Sequence, residues 1–252
     1  MIAKSYGTAR IQIYPTRPEL GVASAEDAAR IIRQAVAQHG RARVIFATGN
    51  SQLDMIGALV EIPSLPWNEV EVFHMDEYIA MPADSAASFR CWIKTRIADR
   101  VHPGAVRYLA GDVPDLDAEI ERYSRLLNEA PIDLAFVGFG ENGHIAFNDP
   151  HVADFADTAT VKRVQIDEAS QRQQAGEGHF ASPESVPKDA LTITCPGLFR
   201  AAAWVSCVPE RRKAAAVRDA LQGPISTNCP SSIVRTHPNA TVYLDEESAS
   251  LL

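Results

Sequence analysis

The stretch GFGENGHIAFNDP, residues 138–150, places a single histidine, His144, between two glycine-bearing turns that follow an apolar run. The amide of Asn142 precedes it and the carboxylate of Asp149 follows it. The flanking glycines permit a sharp turn that would bring the imidazole to a pocket. An imidazole titrates near neutrality, so it can carry a proton between two oxygen atoms of a sugar. This pattern favours a catalytic histidine over a core histidine.

A second candidate is an acid. Asp76 and Glu77 follow the apolar segment VEVFHM. Because side chains alternate along a strand, only one of these two carboxylates is expected to face a pocket. A carboxylate held beside the carbon next to a carbonyl can act as a proton-transfer base. Taken alone, an Asp-Glu pair is more typical of a cap or a salt bridge, so the pair by itself does not define a site.

Two segments could bind an anion. The small polar turn that follows RVIFA consists of Thr48, Gly49, Asn50 and Ser51. Its backbone N–H groups precede a helix, where unpaired donors and the helix dipole favour an anion. Arg211, Arg212 and Lys213 begin a later helix, where cations oppose the dipole, and a bound anion would relieve that conflict. A turn that only changes direction and a solvated basic face remain the alternatives.

These groups fall where predicted strands end. RVIFA, VEVFHM, IDLAFVG, ALTIT, AAWVSCV and ATVYL are typical of strands, after an irregular N-terminus. Helices are predicted from an N-cap at Ser24 to a stop at Gly40, over 52–60 and 85–97, after Pro114, and over ERRKAAAVRDALQG. The alternation predicts a Rossmann-like α/β fold, a mostly parallel twisted sheet with helices on both faces, as one domain over 1–252. Ligands in such sheets bind at the carboxyl ends of strands, where the polar turns lie.

The segment 150–186 has a weak pattern, with only short periodic pieces. A long, loosely patterned insertion beside a suspected site is a candidate active-site lid. A surface excursion without function is an equally weighted alternative.

Composition narrows the class of partner. The chain has 252 residues, 46% hydrophobic and 22% charged, which is typical of a globular protein. A net charge of −8 argues against nucleic acid, but a local basic pocket could still bind a small phosphate. The apolar runs are too short to cross a bilayer, so no membrane partner is expected.

The spacing of the cysteines and histidines indicates the cellular compartment and argues against a metal site. The four cysteines show no C-x-x-C spacing and no signal-peptide pattern opens the chain, which favours a reducing cytoplasm. The seven histidines form no H-E-x-x-H or comparable cluster, so no metal is expected.

The motifs ATGNS, FHMDEY, GDVPDLDAE, IDLAFVGFGENGHIAFNDP, VPKDALTIT and HPNATVYLDE, in this order, resemble the glucosamine-6-phosphate deaminase (isomerase) family, which is related to the 6-phosphogluconolactonases. The resemblance spans most of the chain. GHIAFN followed by an acid and proline is its most specific element, since lactonases differ after the GH. It implies aldose–ketose isomerisation with hydrolysis of a carbon–nitrogen bond, which turns glucosamine 6-phosphate or a close epimer into fructose 6-phosphate and ammonia. It implies no cofactor, and a homo-oligomer.

The resemblance also implies residue roles. Asp76 is expected to move a proton between C2 and C1, and His144 to assist opening of the pyranose ring. Asp149 is expected to orient His144, with Asn142 holding the imidazole or the ring oxygen. The phosphate contacts implied are Thr48, Gly49, Asn50, Ser51 and Lys213, with Arg172 as the candidate for a lid arginine that is absent from GEGHFASPES.

Two departures from the family pattern keep alternatives open. Typical deaminases read D-G-H-I-A-F-N-E, whereas this chain carries Asn142 and Asp149. An amide takes up no proton and Asp is one methylene shorter than Glu, so ring opening is expected to be slower or differently arranged. A 6-phosphogluconolactonase-like hydrolase and a sugar-phosphate sensor without turnover are the alternative functions.

Overall fold

Buried β-branched and aromatic residues build the centre of the computed structural model, which describes residues 1–252. Its strands are β1 Ile2–Tyr6, β2 Ala9–Tyr14, β3 Ala42–Phe46, β4 Val70–His74, β5 Asp76–Tyr78, β6 Ala105–Arg107, β7 Leu134–Phe136, β8 Val161–Gln165, β9 Asp189–Ile193, β10 Trp204–Val208 and β11 Ala240–Asp245. Eight of them form one sheet in the order β1-β2-β11-β10-β7-β3-β4-β6. Only β1 runs antiparallel to its neighbour, which confirms the predicted mostly parallel sheet.

Helices cover both faces of this sheet. They are α1 Arg17–His39, α2 Leu53–Glu61, α3 Phe89–Ile93, α4 Asp99–Val101, α5 Leu116–Asn128, α6 Glu168–Gly176, α7 Cys195–Phe199 and α8 Ala214–Gln222. Alternate strand residues enter different cores: Ile45 lies in the cluster that includes α5 and α8, whereas Val44 and Phe46 lie in the one that includes α1 and α2. This alternation confirms the predicted α/β class, because a parallel sheet needs both faces covered.

A second, smaller sheet lies beside the first. Its order is β5-β9-β8 and both pairings are antiparallel. The segment ALTIT is a strand, β9, but it belongs to this small sheet. Ile193 N–H donates to the Met75 carbonyl at 2.8 Å, so the small sheet is joined to the chain directly after β4. That junction determines where Asp76 lies.

Some predicted boundaries were wrong. Helix α1 starts seven residues earlier than the predicted cap, at Arg17, with the Thr16 side chain accepting from Glu19 N–H. Ser24 lies buried inside the helix, where its hydroxyl donates to the Leu20 and Gly21 carbonyls. Gly40 ends the helix as predicted, at a φ of 73°.

The other differences concern short elements. The N-terminus forms the antiparallel pair β1–β2 and is not irregular; its exposed outer strand lacks the apolar signal of a core strand. The predicted helix over 85–97 is α-helical only from Phe89, behind a Ser88 cap, and becomes a π-helical turn over Lys94–Ala98. No helix is both long enough and apolar enough to span a membrane.

Candidate active site

One cavity lies at the carboxyl ends of β3, β4 and β7, where the chain order reverses from β3–β4–β6 to β7–β10–β11. Such a reversal opens a crevice between neighbouring strands of an open α/β sheet. Its lining includes Thr48, Gly49, Ser51, Gln52, Asp76, Gly140, His144, Gln173, Gln174, Glu177 and Lys213. The acid, the imidazole and the anion-binding turn named from the sequence therefore meet in one place.

Asp76 faces this cavity with 6% of its surface exposed. Its carboxylate is not stabilised by any protein hydrogen bond or cation. Burial, together with the neighbouring Glu77 carboxylate, raises the pKa of Asp76 well above the usual aspartate value. A carboxylate whose pKa is raised holds a proton more strongly than an exposed aspartate does, which suits a proton-transfer base.

A buried histidine fixes the backbone of Asp76. Leu109 N–H donates to His74 Nε2 at 2.9 Å, so the proton of this imidazole lies on Nδ1, which donates to the Asp76 carbonyl at 2.8 Å. The Tyr123 hydroxyl in turn donates to the His74 carbonyl at 2.7 Å. Burial lowers the pKa of His74 to about 4, so the ring stays neutral and structural.

Glu77 points to the opposite side, as strand alternation predicts. It is fully buried, and its Oε2 accepts from the Ser88 hydroxyl at 2.6 Å and from Arg90 N–H at 3.0 Å. The Arg90 guanidinium contacts the same oxygen at 3.2 Å. Glu77 therefore anchors the start of α3, whereas Asp76 remains free to meet a ligand.

His144 lies against Gly140. A Cβ atom at residue 140 would sit 2.2 Å from His144 Cε1, so only glycine leaves room for the ring. Gly143 adopts a φ of 81°, and a Cβ there would meet Cys229 Sγ at 2.6 Å. The two glycines of the motif thus have separate purposes, one sterically admitting the ring and the other making the turn.

Asn142 and Asp149 lie behind the imidazole, outside the cavity lining. His144 Nδ1 is 3.1 Å from Asp149 Oδ1, and Asn142 Oδ1 accepts the His144 backbone N–H at 3.0 Å. Burial raises the pKa of Asp149, but hydrogen bonds from His144 and Asn142 and from Asp167 N–H outweigh it and lower that pKa to about 2. Asp149 is a permanent carboxylate, and His144 Nε2 has no protein partner.

The anion-binding end is built by the turn after β3 and by Lys213. Lys213 is 2% exposed, and no side-chain hydrogen bond compensates its charge. Burial lowers the pKa of Lys213 to about 8, with Glu177 opposing that shift. A buried cation beside a small polar turn that precedes a helix is suited to an incoming phosphate.

The segment 150–186 covers this end. Glu177, directly after α6, has a side chain only 3% exposed, and its Oε2 accepts Asn50 N–H at 3.2 Å. Asn50 Nδ2 donates to the Glu177 carbonyl at 3.0 Å, so Asn50 contacts the segment 150–186 and does not line the cavity. A carboxylate of the protein itself therefore contacts the turn that the sequence predicts to bind an anion.

Comparison with known proteins identifies the family. The model for glucosamine-6-phosphate isomerases/6-phosphogluconolactonase matches residues 15–243. The chain belongs to this family. It is 32% identical over 227 residues to a glucosamine-6-phosphate deaminase of Bacillus cytotoxicus, covering 90% of this chain and 84% of the relative. For a deaminase of Halothermothrix orenii the values are 30% identity, 82% and 86%.

Solved structures of the family agree with the fold. A monomeric glucosamine-6-phosphate deaminase superposes with a TM-score of 0.88 at 28% identity, covering 96% of this chain and 99% of that one. A putative 6-phosphogluconolactonase from Neisseria gonorrhoeae reaches a TM-score of 0.74 at 18% identity, covering 94% and 99%. The second likeness concerns the fold alone.

Arg172 was placed wrongly by sequence reasoning. Its side chain is 62% exposed on α6, 3.4 Å from Glu168, and it does not line the cavity. The residues that α6 and its end direct inward are Gln173, Gln174 and Glu177. A family-type lid arginine therefore has no counterpart in Arg172.

Sequence reasoning also missed several supporting groups. His74 was noted only as one of seven histidines, and Ser170 and Asp167 of the lid segment carried no signal. Asp167 followed by Ser170 is a capping pattern, since the Asp167 side chain accepts Ser170 N–H at 2.7 Å at the start of α6. Reading that cap would have placed the helix.

One cluster could resemble a metal site. Ligand atoms of Asp149, His151 and Asp167 lie within 4.8 Å of one another. Asp149 and Asp167 are already used by hydrogen bonds from Asn142, at 3.0 and 2.9 Å. The two carboxylates are thus bridged by an amide, and the expectation of no metal stays a prediction.

Amide substitutions of the two adjacent acids, Asp76 and Glu77, should change the free energy of unfolding in opposite directions. Asp76→Asn removes a buried, unpaired charge, so we expect the free energy of unfolding at pH 8 to rise by about 1–2 kcal/mol. Because the pKa of Asp76 is raised, this gain shrinks as pH falls and the wild-type carboxyl becomes protonated. Glu77→Gln weakens a buried pair with Arg90 and should cost about 3 kcal/mol. Urea unfolding at pH 8 and 5 measures both; a less stable Asp76→Asn at pH 8 contradicts the assignment.

Gly140→Ala should displace the imidazole without unfolding the protein. The added methyl group overlaps the His144 ring, so we expect kcat to fall about 100-fold for whatever reaction the site performs. Gly57→Ala in α2, where nothing lies within 4 Å of the new Cβ, is the matched control and should leave kcat unchanged. Equal activity of the two variants would show that the ring does not need its present position.

Proposed function

We propose that this protein converts glucosamine 6-phosphate, or a close epimer, and water into fructose 6-phosphate and ammonia. The observation that carries the proposal is the shared cavity: Asp76, buried without a partner, and His144, with a free Nε2, line the same space as the turn at 48–51 and Lys213. A phosphosugar has the matching groups, an anion at one end and a reacting carbonyl at the other.

The phosphate is proposed to bind at the turn. Thr48, Gly49 and Ser51 line the cavity there, and the Lys213 ammonium supplies the charge. Burial of this cation costs free energy, and a bound anion would offset that cost. Lys213 is also better protonated with the phosphate bound, because the anion raises its pKa from about 8.

The imidazole of His144 is proposed to open the pyranose ring. Its Nε2 accepts the proton of the C1 hydroxyl and returns it to the ring oxygen, which breaks the C1–O5 bond and gives the open aldehyde. Asp149 stays ionised behind Nδ1 and stabilises the imidazolium while it exists.

Asp76 is proposed to move the carbon-bound proton. Its carboxylate removes the proton from C2 while the carbonyl oxygen O1 takes a proton from the substrate's own ammonium group, which gives an enolamine. The protonated Asp76 then delivers its proton to C1, which leaves a protonated imine at C2. Water adds to that imine and ammonia leaves, so atoms and charge balance without a redox step. The raised pKa of Asp76 makes it a stronger base than a surface aspartate.

Opening of the segment 150–186 is proposed to precede binding. Gln173 and Gln174 of α6 line the cavity, and Glu177 just after α6 contacts both the N–H and the side chain of Asn50. Movement of α6 with Gln173, Gln174 and Glu177 would both admit the substrate and then exclude water from it.

The alternatives differ in what they would bind and release. A 6-phosphogluconolactonase would use His144 to activate water against an ester carbonyl and would leave Asp76 idle. A sensor would bind without turnover. The deaminase relatives at about 30% identity support the deaminating reaction, whereas the lactonase structure at 18% identity supports only the fold.

Broader properties stay predictions. We keep one domain over 1–252 with its lid at 150–186, a cytoplasmic location, and no cofactor. The homo-oligomer also stays a prediction, and light scattering on the purified protein measures it. The similar solved structure is described as monomeric, which favours the opposite outcome.

The reaction is tested with a panel of substrates. Purified protein with glucosamine 6-phosphate should release ammonia and fructose 6-phosphate in equal amounts, and galactosamine 6-phosphate run in parallel separates the epimers. Asp76→Asn should lose about 1000-fold in kcat, because an amide cannot remove the C2 proton. Opening of 6-phosphogluconolactone without ammonia release would support the lactonase, and bound substrate without product would support the sensor.

Substitutions of Lys213 and Glu177 should change the affinity for phosphate in opposite directions. Lys213→Met should weaken binding of inorganic phosphate, and wild-type binding should weaken as pH rises through about 8, where Lys213 loses its charge. Glu177→Gln removes a carboxylate from the anion-binding turn and should tighten phosphate binding about tenfold. Titration calorimetry measures both effects.

The control for Glu177→Gln is Glu168→Gln. Glu168 is the first residue of α6, the helix that Glu177 follows. Its side chain is 89% exposed and it lies outside the cavity lining. This variant should bind phosphate like the wild type. Weaker binding by Glu177→Gln, or an equal gain in both variants, would contradict the placement of phosphate at this turn.

A further inference from the structure

The start of the lid helix contacts the catalytic histidine from behind. The Ser170 hydroxyl, 1% exposed, is 2.8 Å from His144 Nδ1 and also donates to Asp149 Oδ1. Asp167 N–H donates to Asp149 Oδ2 at 3.0 Å. Both residues belong to the segment 150–186, so the lid completes the hydrogen bonds of the imidazole.

The hydrogen bonds among Ser170, Asp149 and His144 determine which ring nitrogen of His144 carries the proton. Asp149 is ionised and can only accept, so the single hydroxyl proton of Ser170 is donated to Asp149. The Ser170 oxygen is then left with lone pairs toward His144 Nδ1, which must carry the proton in that contact. Nε2 is consequently the unprotonated nitrogen, and it is the one that no protein group occupies.

Asn142 donates hydrogen bonds to two carboxylates at once. Its Nδ2 donates to Asp149 Oδ1 at 3.0 Å and to Asp167 Oδ2 at 2.9 Å, and its Oδ1 accepts the His144 N–H. An amide suits this place because it offers two donors and no charge. A carboxylate at residue 142 would face both Asp149 and Asp167 and would repel them.

We infer that Ser170 and Asp167 are positioning residues for His144, and that Asn142 is an amide matched to the lid carboxylate Asp167. This rests on the proposed function only in that His144 acts as the ring-opening acid and base. Ser170 keeps the Nε2 lone pair directed at the sugar, and Asp167 holds Asn142 and Asp149 in place. Closing of the lid therefore aligns the histidine at the same time as it covers the substrate.

The Ser170 contact is tested with Ser170→Ala. We expect kcat for ammonia release to fall about tenfold with little change in KM, because the hydroxyl contacts the imidazole and not the cavity. Ser182→Ala, at a half-buried serine of the same segment that lies outside the cavity lining, is the control and should match the wild type. An unchanged kcat in Ser170→Ala would overturn the role of Ser170.

The pairing of the Asn142 amide with the Asp167 carboxylate is tested by exchanging the amide and the carboxylate between the two residues. Asn142→Asp should lower kcat about 100-fold because three carboxylates then meet. Asp167→Asn keeps an acceptor for the α6 cap and should lower kcat less. The double variant Asn142→Asp/Asp167→Asn restores the original number of carboxylates and should recover at least tenfold over Asn142→Asp. Strictly additive losses, in variants with wild-type melting temperatures, would overturn the coupling.

A readout without turnover separates this inference from the proposed reaction. Nitrogen-15 NMR of the imidazoles, with His144→Gln to assign the resonance, should show His144 protonated on Nδ1 in the wild type. In Ser170→Ala the Nδ1 resonance should shift, because Asp149 is then the single acceptor for that proton. This result would stand even if the protein released no ammonia. A wild-type His144 protonated on Nε2 would overturn the inference whatever the activity.

Discussion

The structure depends on the burial of one carboxylate, Asp76, without a partner. A lone charge in such a place costs free energy, and the surrounding chain holds it there. The small sheet pairs Asp76 with Thr192, and the neutral ring of His74 binds its carbonyl. Glu77, one residue on, has the hydrogen bonds and the arginine that Asp76 lacks. Two adjacent acids are thereby divided into a structural group and a reactive one.

The same cavity also contains a buried cation, Lys213. Lys213 has no hydrogen-bonded partner, and the nearest relief comes from Glu177 of the lid. The protein thus supplies its own anion, Glu177, at the place where we propose that phosphate binds. The same segment, 150–186, contacts His144 through Ser170, so the closure that we propose would affect the proposed phosphate end and the imidazole together. A single moving segment would then control binding and proton transfer.

Much of this could be predicted from the sequence because strand ends and motifs are local. The turn at 48–51, Asp76, His144 and Lys213 follow strands whose apolar runs are plain, and parallel strands bring their carboxyl ends together. Arg172 was misplaced because nearness in sequence says nothing about which face of a helix turns inward. Ser170 and Asp167 were missed because their partners, His144 and Asn142, lie about 25 residues away in sequence. The hairpin of β1 and β2 was missed because an exposed edge strand lacks an apolar signature.

Asp76 is a desolvated, unpaired acid, and its role as a base depends on that state. Carbon-13 NMR of the aspartate side-chain carboxyls, with Asp76→Asn used to assign the resonance, measures the titration of Asp76 in the folded protein directly. We expect a midpoint well above the usual aspartate value of about 3.9. A midpoint at or below that value would mean that the carboxylate is solvated or paired, and Asp76 would then not be the base that we propose.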